Sequence, residues 1–150
     1  MRFSRRTLRA ALAMVIGLLA ACGDSAALHP DMPSSEVLDP GKYRLVNING
    51  RTLPYVVMND PGQRVEITSG DLNFQAGRAF SQLLVFRETT TAGSTQRPSA
   101  IIGTYTMDGS RIFFRVSSGE EFVGTRIAGD FIEYTVQGNS GALVFLFQRD

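Results

Sequence analysis

From residue 41 onward, short apolar alternations are broken by turn residues every 8–12 positions. That period leaves two architectures open, a β-sandwich or a β-barrel. The alternating stretches cover residues 41–49, 53–58, 64–68, 72–74, 79–89, 100–107, 111–116, 121–127, 131–136 and 142–148. Asp60-Pro61-Gly62 supplies Pro at i+1 and Gly at i+2 of a type II turn, and Asp108-Gly109 marks a tight hairpin. Past residue 22 no eleven-residue window keeps a 3.6 period, so the body is expected to contain no helix. Its connections are short, which places antiparallel neighbours in chain order. The expected fold is all-β, an antiparallel up-and-down barrel of about 8 strands whose closure removes exposed edges, with a sandwich as the alternative.

Alternation also assigns the inner face. Ile101, Gly103, Tyr105 and Met107 share one face, and Ile112, Phe114 and Val116 share the inner face of the next strand. Ile132, Tyr134 and Val136 continue the set, followed by Leu143, Phe145 and Phe147. The long apolar stretch at 79–89 puts Phe80, Leu84 and Phe86 on one side and Leu83 and Val85 on the other. Leu83, Val85, Val144 and Leu146 then face outward as the makings of a contact patch. The polar run 90–99 reads as the longest loop of the body, a place where function gathers.

Before the body lies a different chain. Arg2, Arg5, Arg6 and Arg9 make a basic start, and residues 10–21 are a short apolar stretch, too short to span a bilayer core of about 30 Å. Leu19-Ala20-Ala21-Cys22 resembles a bacterial lipobox, which implies cleavage before Cys22 and lipidation of its thiol. The expected division is a signal peptide, with its signal helix, at 1–21, a lipidated cysteine and flexible tether at 22–40, and a barrel domain at 41–150. Two or three acyl chains would hold such a protein to a membrane durably. Gly23, rather than Asp, follows the cysteine, which leans the expected address toward the outer membrane of a bacterial envelope. Ser4-Arg5-Arg6-Thr7-Leu8 also looks like a twin-arginine export motif, so two export routes stay open.

Several function classes are excluded by what the chain carries. Cleavage would leave eleven basic against fourteen acidic groups, a net of about −3, which argues against nucleic acid as a partner. Cys22 is the only cysteine, so stability must come from packing rather than from an internal disulfide. The single histidine, His29, sits in the tether and completes neither a metal site nor a triad. Glu120 and Glu121 are adjacent and point to opposite faces of a strand, so with Glu133 they form a solvated rim rather than an acid–base pair. The expectation is a non-enzyme with no catalytic residue, no metal and no cofactor.

Tyr43-Arg44-Leu45-Val46-Asn47-Ile48-Asn49-Gly50-Arg51-Thr52-Leu53-Pro54 and Ile67-Thr68-Ser69-Gly70-Asp71-Leu72 carry a further likeness, with Gly103-Thr104-Tyr105 and Leu143-Val144-Phe145. These runs resemble small bacterial lipocalin-like lipoproteins. The resemblance implies a β-barrel and an apolar or amphipathic ligand. Tyr43, Tyr105, Phe114 and Tyr134 are the candidate lining, unless they are packed core aromatics. The second expectation is a periplasmic interaction lipoprotein that uses its outer face or the 90–99 run against a protein partner. A cavity of about 300 Å³ or more would favour the ligand, and a filled core the partner.

Overall fold

The computed structural model describes residues 37–128, 130–138 and 141–150. Its strands are β1 (Gly41–Ile48), β2 (Arg51–Thr52), β3 (Tyr55–Asp60), β4 (Gln63–Gln75), β5 (Ala79–Thr90) and β6 (Gly93–Asp108). They are followed by β7 (Arg111–Val116), β8 (Glu121–Ile127), β9 (Phe131–Gly138) and β10 (Gly141–Arg149). A 3₁₀ turn at Ala76–Arg78 joins β4 to β5. The expected signal peptide, Cys22 and most of the tether lie outside the described residues.

Every ladder is antiparallel, and neighbours follow chain order from β4 through β10. β1 pairs with β10 on one edge and with the far half of β4 on the other, from Gly41 opposite Phe74 to Arg44 opposite Asp71. That pairing closes an eight-stranded barrel, as the alternation predicted. β3 occupies the near half of the same β4 edge, with Tyr55 opposite Ile67, while β2 pairs with the last residues of β1. The wall between β1 and β4 therefore divides at one end of the barrel.

Bulges adjust the alternation. A register shift between Ile67 and Ser69 lets β4 turn half-buried Val65 and buried Ile67 inward on its near half and bury Leu72 and Phe74 on its far half. The shift between Leu45 and Asn47 does the same for β1, whose buried set is Tyr43, Leu45 and Ile48. On β6, β7, β9 and β10 the inward residues are those read from the sequence, including Tyr105, Phe114, Ile132, Tyr134, Phe145 and Phe147.

The 90–99 run is where the structure departs from expectation. It is a strand, not a loop: only Thr91 and Ala92 turn, and Thr89 pairs with Ser94 and Val85 with Pro98. From Gly93 to Ile102, β6 is laddered only to β5, because pairing with β7 begins at Gly103. Pro98 lies on that open edge, where a missing N–H blunts strand addition. The outward apolar residues do not merge into one patch either. Leu83 and Val85 on β5 are separated from Val144 and Leu146 on β10 by β4 and β1.

The half of the barrel holding the chain's first described residues is filled. Leu38 is buried beneath the strands, and the Tyr105 hydroxyl donates to its carbonyl at 3.4 Å. Phe74 meets Tyr105 edge-on at 4.9 Å, Phe80 meets Phe114 at 5.0 Å, and Phe114 stacks on Phe122 at 4.6 Å. Such pairs each contribute about 0.5–1.5 kcal/mol beyond burial. Gly103 makes this packing possible, since a Cβ there would fall on the Arg115 carbonyl and against the Phe80 ring.

Candidate apolar cavity at the open end

Toward the other end, where β1 and β3 part company, the interior is hollow. An outer chamber of about 500 Å³ is walled by Tyr55, Val57, Val65, Ile67, Phe86 and Leu143, among others. An inner chamber of about 150 Å³ lies against Gln82, Ser99, Ile101, Phe122 and Tyr134. Leu84, Val136 and Phe145 border both. The size falls in the range of small-molecule sites, as does the lining of apolar side chains with a few polar groups.

The polar groups sit at defined depths. At the rim, Asn49 Nδ2 donates to the Tyr55 hydroxyl at 3.0 Å, and Asn49 Oδ1 accepts from the Val144 amide at 2.8 Å. Ion pairs begin only beyond the mouth. Arg97, opposite Phe86, reaches Glu88 at 3.2 Å, and Gln63 donates to Glu88 at 2.7 Å. No described residue lining either chamber carries a charge. At the inner end burial pushes the Tyr134 phenol well above its ordinary range, with Gln82 beside it acting in the opposite direction.

The four aromatics singled out by sequence separate by depth. Tyr43, Tyr105 and Phe114 are buried in the filled half, and burial pushes the Tyr43 and Tyr105 phenols above their ordinary range. Tyr134 reaches the inner chamber. Tyr55, a further tyrosine whose hydroxyl was expected to reach a cavity, is in the outer wall, while Leu84, Phe86, Val136 and Leu143 were not singled out as lining. Gln82 was also passed over, although the spacing Phe80-x-Gln82-x-Leu84 puts it on the inner face.

Gln82 and Glu66 are the two buried polar side chains among the described residues. Glu66 points outward from β4 and is clasped by Arg64 at 2.6 Å and by two nitrogens of Arg87 from β5. The Arg87 hydrogen bonds hold its carboxyl below the ordinary range, against the opposing effect of burial. The clasp ties β4 to β5 where they rise past the mouth. Glu121 pairs with Arg115 on the exposed surface at 2.8 Å, away from Glu133 on β9. Among the described residues no group of three or more His, Cys, Asp or Glu could hold a metal.

No family model matches this chain, and no curated protein does. Among solved structures it is similar to Japanin from Rhipicephalus appendiculatus bound to cholesterol. That match has 11% identity and a TM-score of 0.40, covering 80% of this chain and 79% of that one. A de novo designed fluorescence-activating β-barrel is similar at 17% identity and a TM-score of 0.35, covering 75% of this chain and 94% of that one.

Proposed function

We propose that this protein binds a small apolar or amphipathic ligand in the open half of its barrel. In this reading it is a lipocalin-like, non-enzymatic lipoprotein anchored to the bacterial envelope through Cys22, with the outer membrane favoured. The observation that carries the ligand reading is the hollow end itself. Eight strands can fill a lumen with side chains, and here one half is filled while the other keeps chambers of about 500 and 150 Å³. The anchor rests on the Leu19-Ala20-Ala21-Cys22 motif.

The test is a thermal-shift screen of fatty acids, lysolipids, isoprenoids and long-chain alcohols. A ligand at a hundredfold excess over its Kd stabilises the fold by about 2.7 kcal/mol, a shift of several degrees at this size. Absence of any shift across the screen refutes the ligand reading. Metabolic palmitate labelling tests the anchor: wild type takes up label and Cys22→Ala does not, and equal labelling refutes it.

A second reading, protein interaction, is favoured by one observation. β6 has an open edge from Gly93 to Ile101, and Ile102, whose carbonyl accepts from the Ser117 amide, is 61% exposed at its end. Backbone crosslinking confined to that edge in cells would support it.

A further inference from the structure

We infer that Arg97 is the head-group site of the cavity. The ligand it fits is a single-chain amphiphile with an anionic, fatty-acid-like head, lying tail inward. This rests on the ligand reading above and names the chemistry held at the mouth.

The chambers themselves exclude charge. No described lining residue could pair with a charged group there, and a charge buried without a partner is costly. An amphiphile in this barrel therefore keeps its head outside, where β4, β5 and β6 rise past the mouth. The ladders show which side chains meet it. Leu84, Phe86 and Glu88 alternate along one face of β5, and Ser99 and Arg97 on β6 stand opposite Leu84 and Phe86. Leu84, Phe86 and Ser99 line the chambers, so Arg97 is on the lining face, one step beyond Ser99. Arg64 and Arg87, cations nearby on β4 and β5, are held on the outer face by Glu66.

Arg97 is also open to a partner. Its contact with Glu88 runs through one nitrogen at 3.2 Å, and its side chain is 72% exposed. The Glu88 side chain is only 21% exposed, and its other oxygen accepts from Gln63 at 2.7 Å. The carboxylate is covered and the guanidinium is open, which favours an anion over a cation as the group that docks. Among the described residues no strand pairs with the far side of β6 from Gly93 to Ile101, which leaves room beside the guanidinium. Its fork matches a carboxylate in geometry as well as in charge. The apolar outer chamber then takes the tail.

The experiment is displacement of the neutral dye N-phenyl-1-naphthylamine from the full chain by decanoate, 1-decanol and decyltrimethylammonium at about pH 8, where a carboxylate is ionised. The three share a tail and differ in head charge. An exposed ion pair corresponds to up to about fivefold in affinity. The decanoate-to-decanol affinity ratio is therefore expected to be about fivefold higher in wild type than in Arg97→Gln, with decyltrimethylammonium the weakest on wild type. Decanol displacement that persists in Arg97→Gln shows that the variant still folds around its cavity. Salt gives a second measurement on wild type alone: the ratio should fall between about 0.01 M and about 1 M, as screening of an exposed pair requires. A ratio unchanged by the substitution or by salt, or decyltrimethylammonium binding best, overturns the head-group site while the ligand reading stands. Failure of the dye and all three compounds to bind wild type overturns both.

Discussion

The contrast between a filled and a hollow half can be read as an energy difference between two truncations. Phe114 is 1% exposed and lies among Phe74, Phe80, Phe122 and Tyr134, with ring centroids 4.6–6.2 Å away. Gly124 approaches the same ring from the wall, and the continuous ladders on both sides of β7 prevent the site from collapsing. Phe114→Ala therefore loses the transfer energy of the ring and leaves a cavity, a cost of about 3–5 kcal/mol. Leu143 is half-buried and already borders the outer chamber. Its truncation widens an existing space and creates no new one, so Leu143→Ala costs only the transfer of its buried part, about 1–1.5 kcal/mol. Urea unfolding monitored by circular dichroism gives both values, with the slope unchanged if only stability moves. On heating, the Phe114 variant should melt lower by more than 10 °C, at about 4 °C per kcal/mol for a domain near this size. Equal costs at the two positions, or a Phe114 cost below about 1 kcal/mol, would refute the assignment of filled and hollow halves.

Other positions test separate parts of the account. Gly103→Ala drives a methyl into the Arg115 carbonyl and the Phe80 ring, so stability should fall by about 1–3 kcal/mol, measured by the same unfolding titration. Glu66 has a folded pKa held below its ordinary 4.5, so the stability it contributes is present above that value and drains away as the pH falls through the lower, folded one. Glu66→Gln should therefore flatten the acid limb of a stability-versus-pH curve, and an unchanged limb would remove Glu66 from the account. Leu84→Trp places a large ring where the two chambers meet. It should abolish binding of N-phenyl-1-naphthylamine while the far-UV circular dichroism spectrum stays that of wild type.

Much of the barrel is legible in the residues. The alternation through Ile112, Phe114 and Val116, and through Ile132 and Tyr134, has one solution when a single face is buried. Asp108-Gly109 and Pro61-Gly62 declare their turns, and Gly62 adopts the positive φ of 84° that its turn demands. The 90–99 run escaped because its strand residues are exposed on both faces, so no hydrophobic period marks them. Pairing with β5 alone holds them in the ladder. The cavity escaped for a different reason. Alternation says which side chains point inward, not whether they meet across the lumen, and that depends on the split of β1 and β3 along β4. The bulges near Thr68 and Val46 move inward positions in ways that a strict period of two cannot show.

The central claim is that a ligand occupies the open half, and mapping its contacts by amide chemical shifts tests that most directly. Titrating 1-decanol into the ¹⁵N-labelled protein should shift the amides of Val57, Ile67, Leu84, Phe86, Val136 and Leu143 along saturable curves with a common Kd. The amides of Leu72, Met107 and Ile112, in the filled half, should stay in place. Shifts scattered over the outer face, centred on the filled half, or growing linearly without saturation would contradict the account.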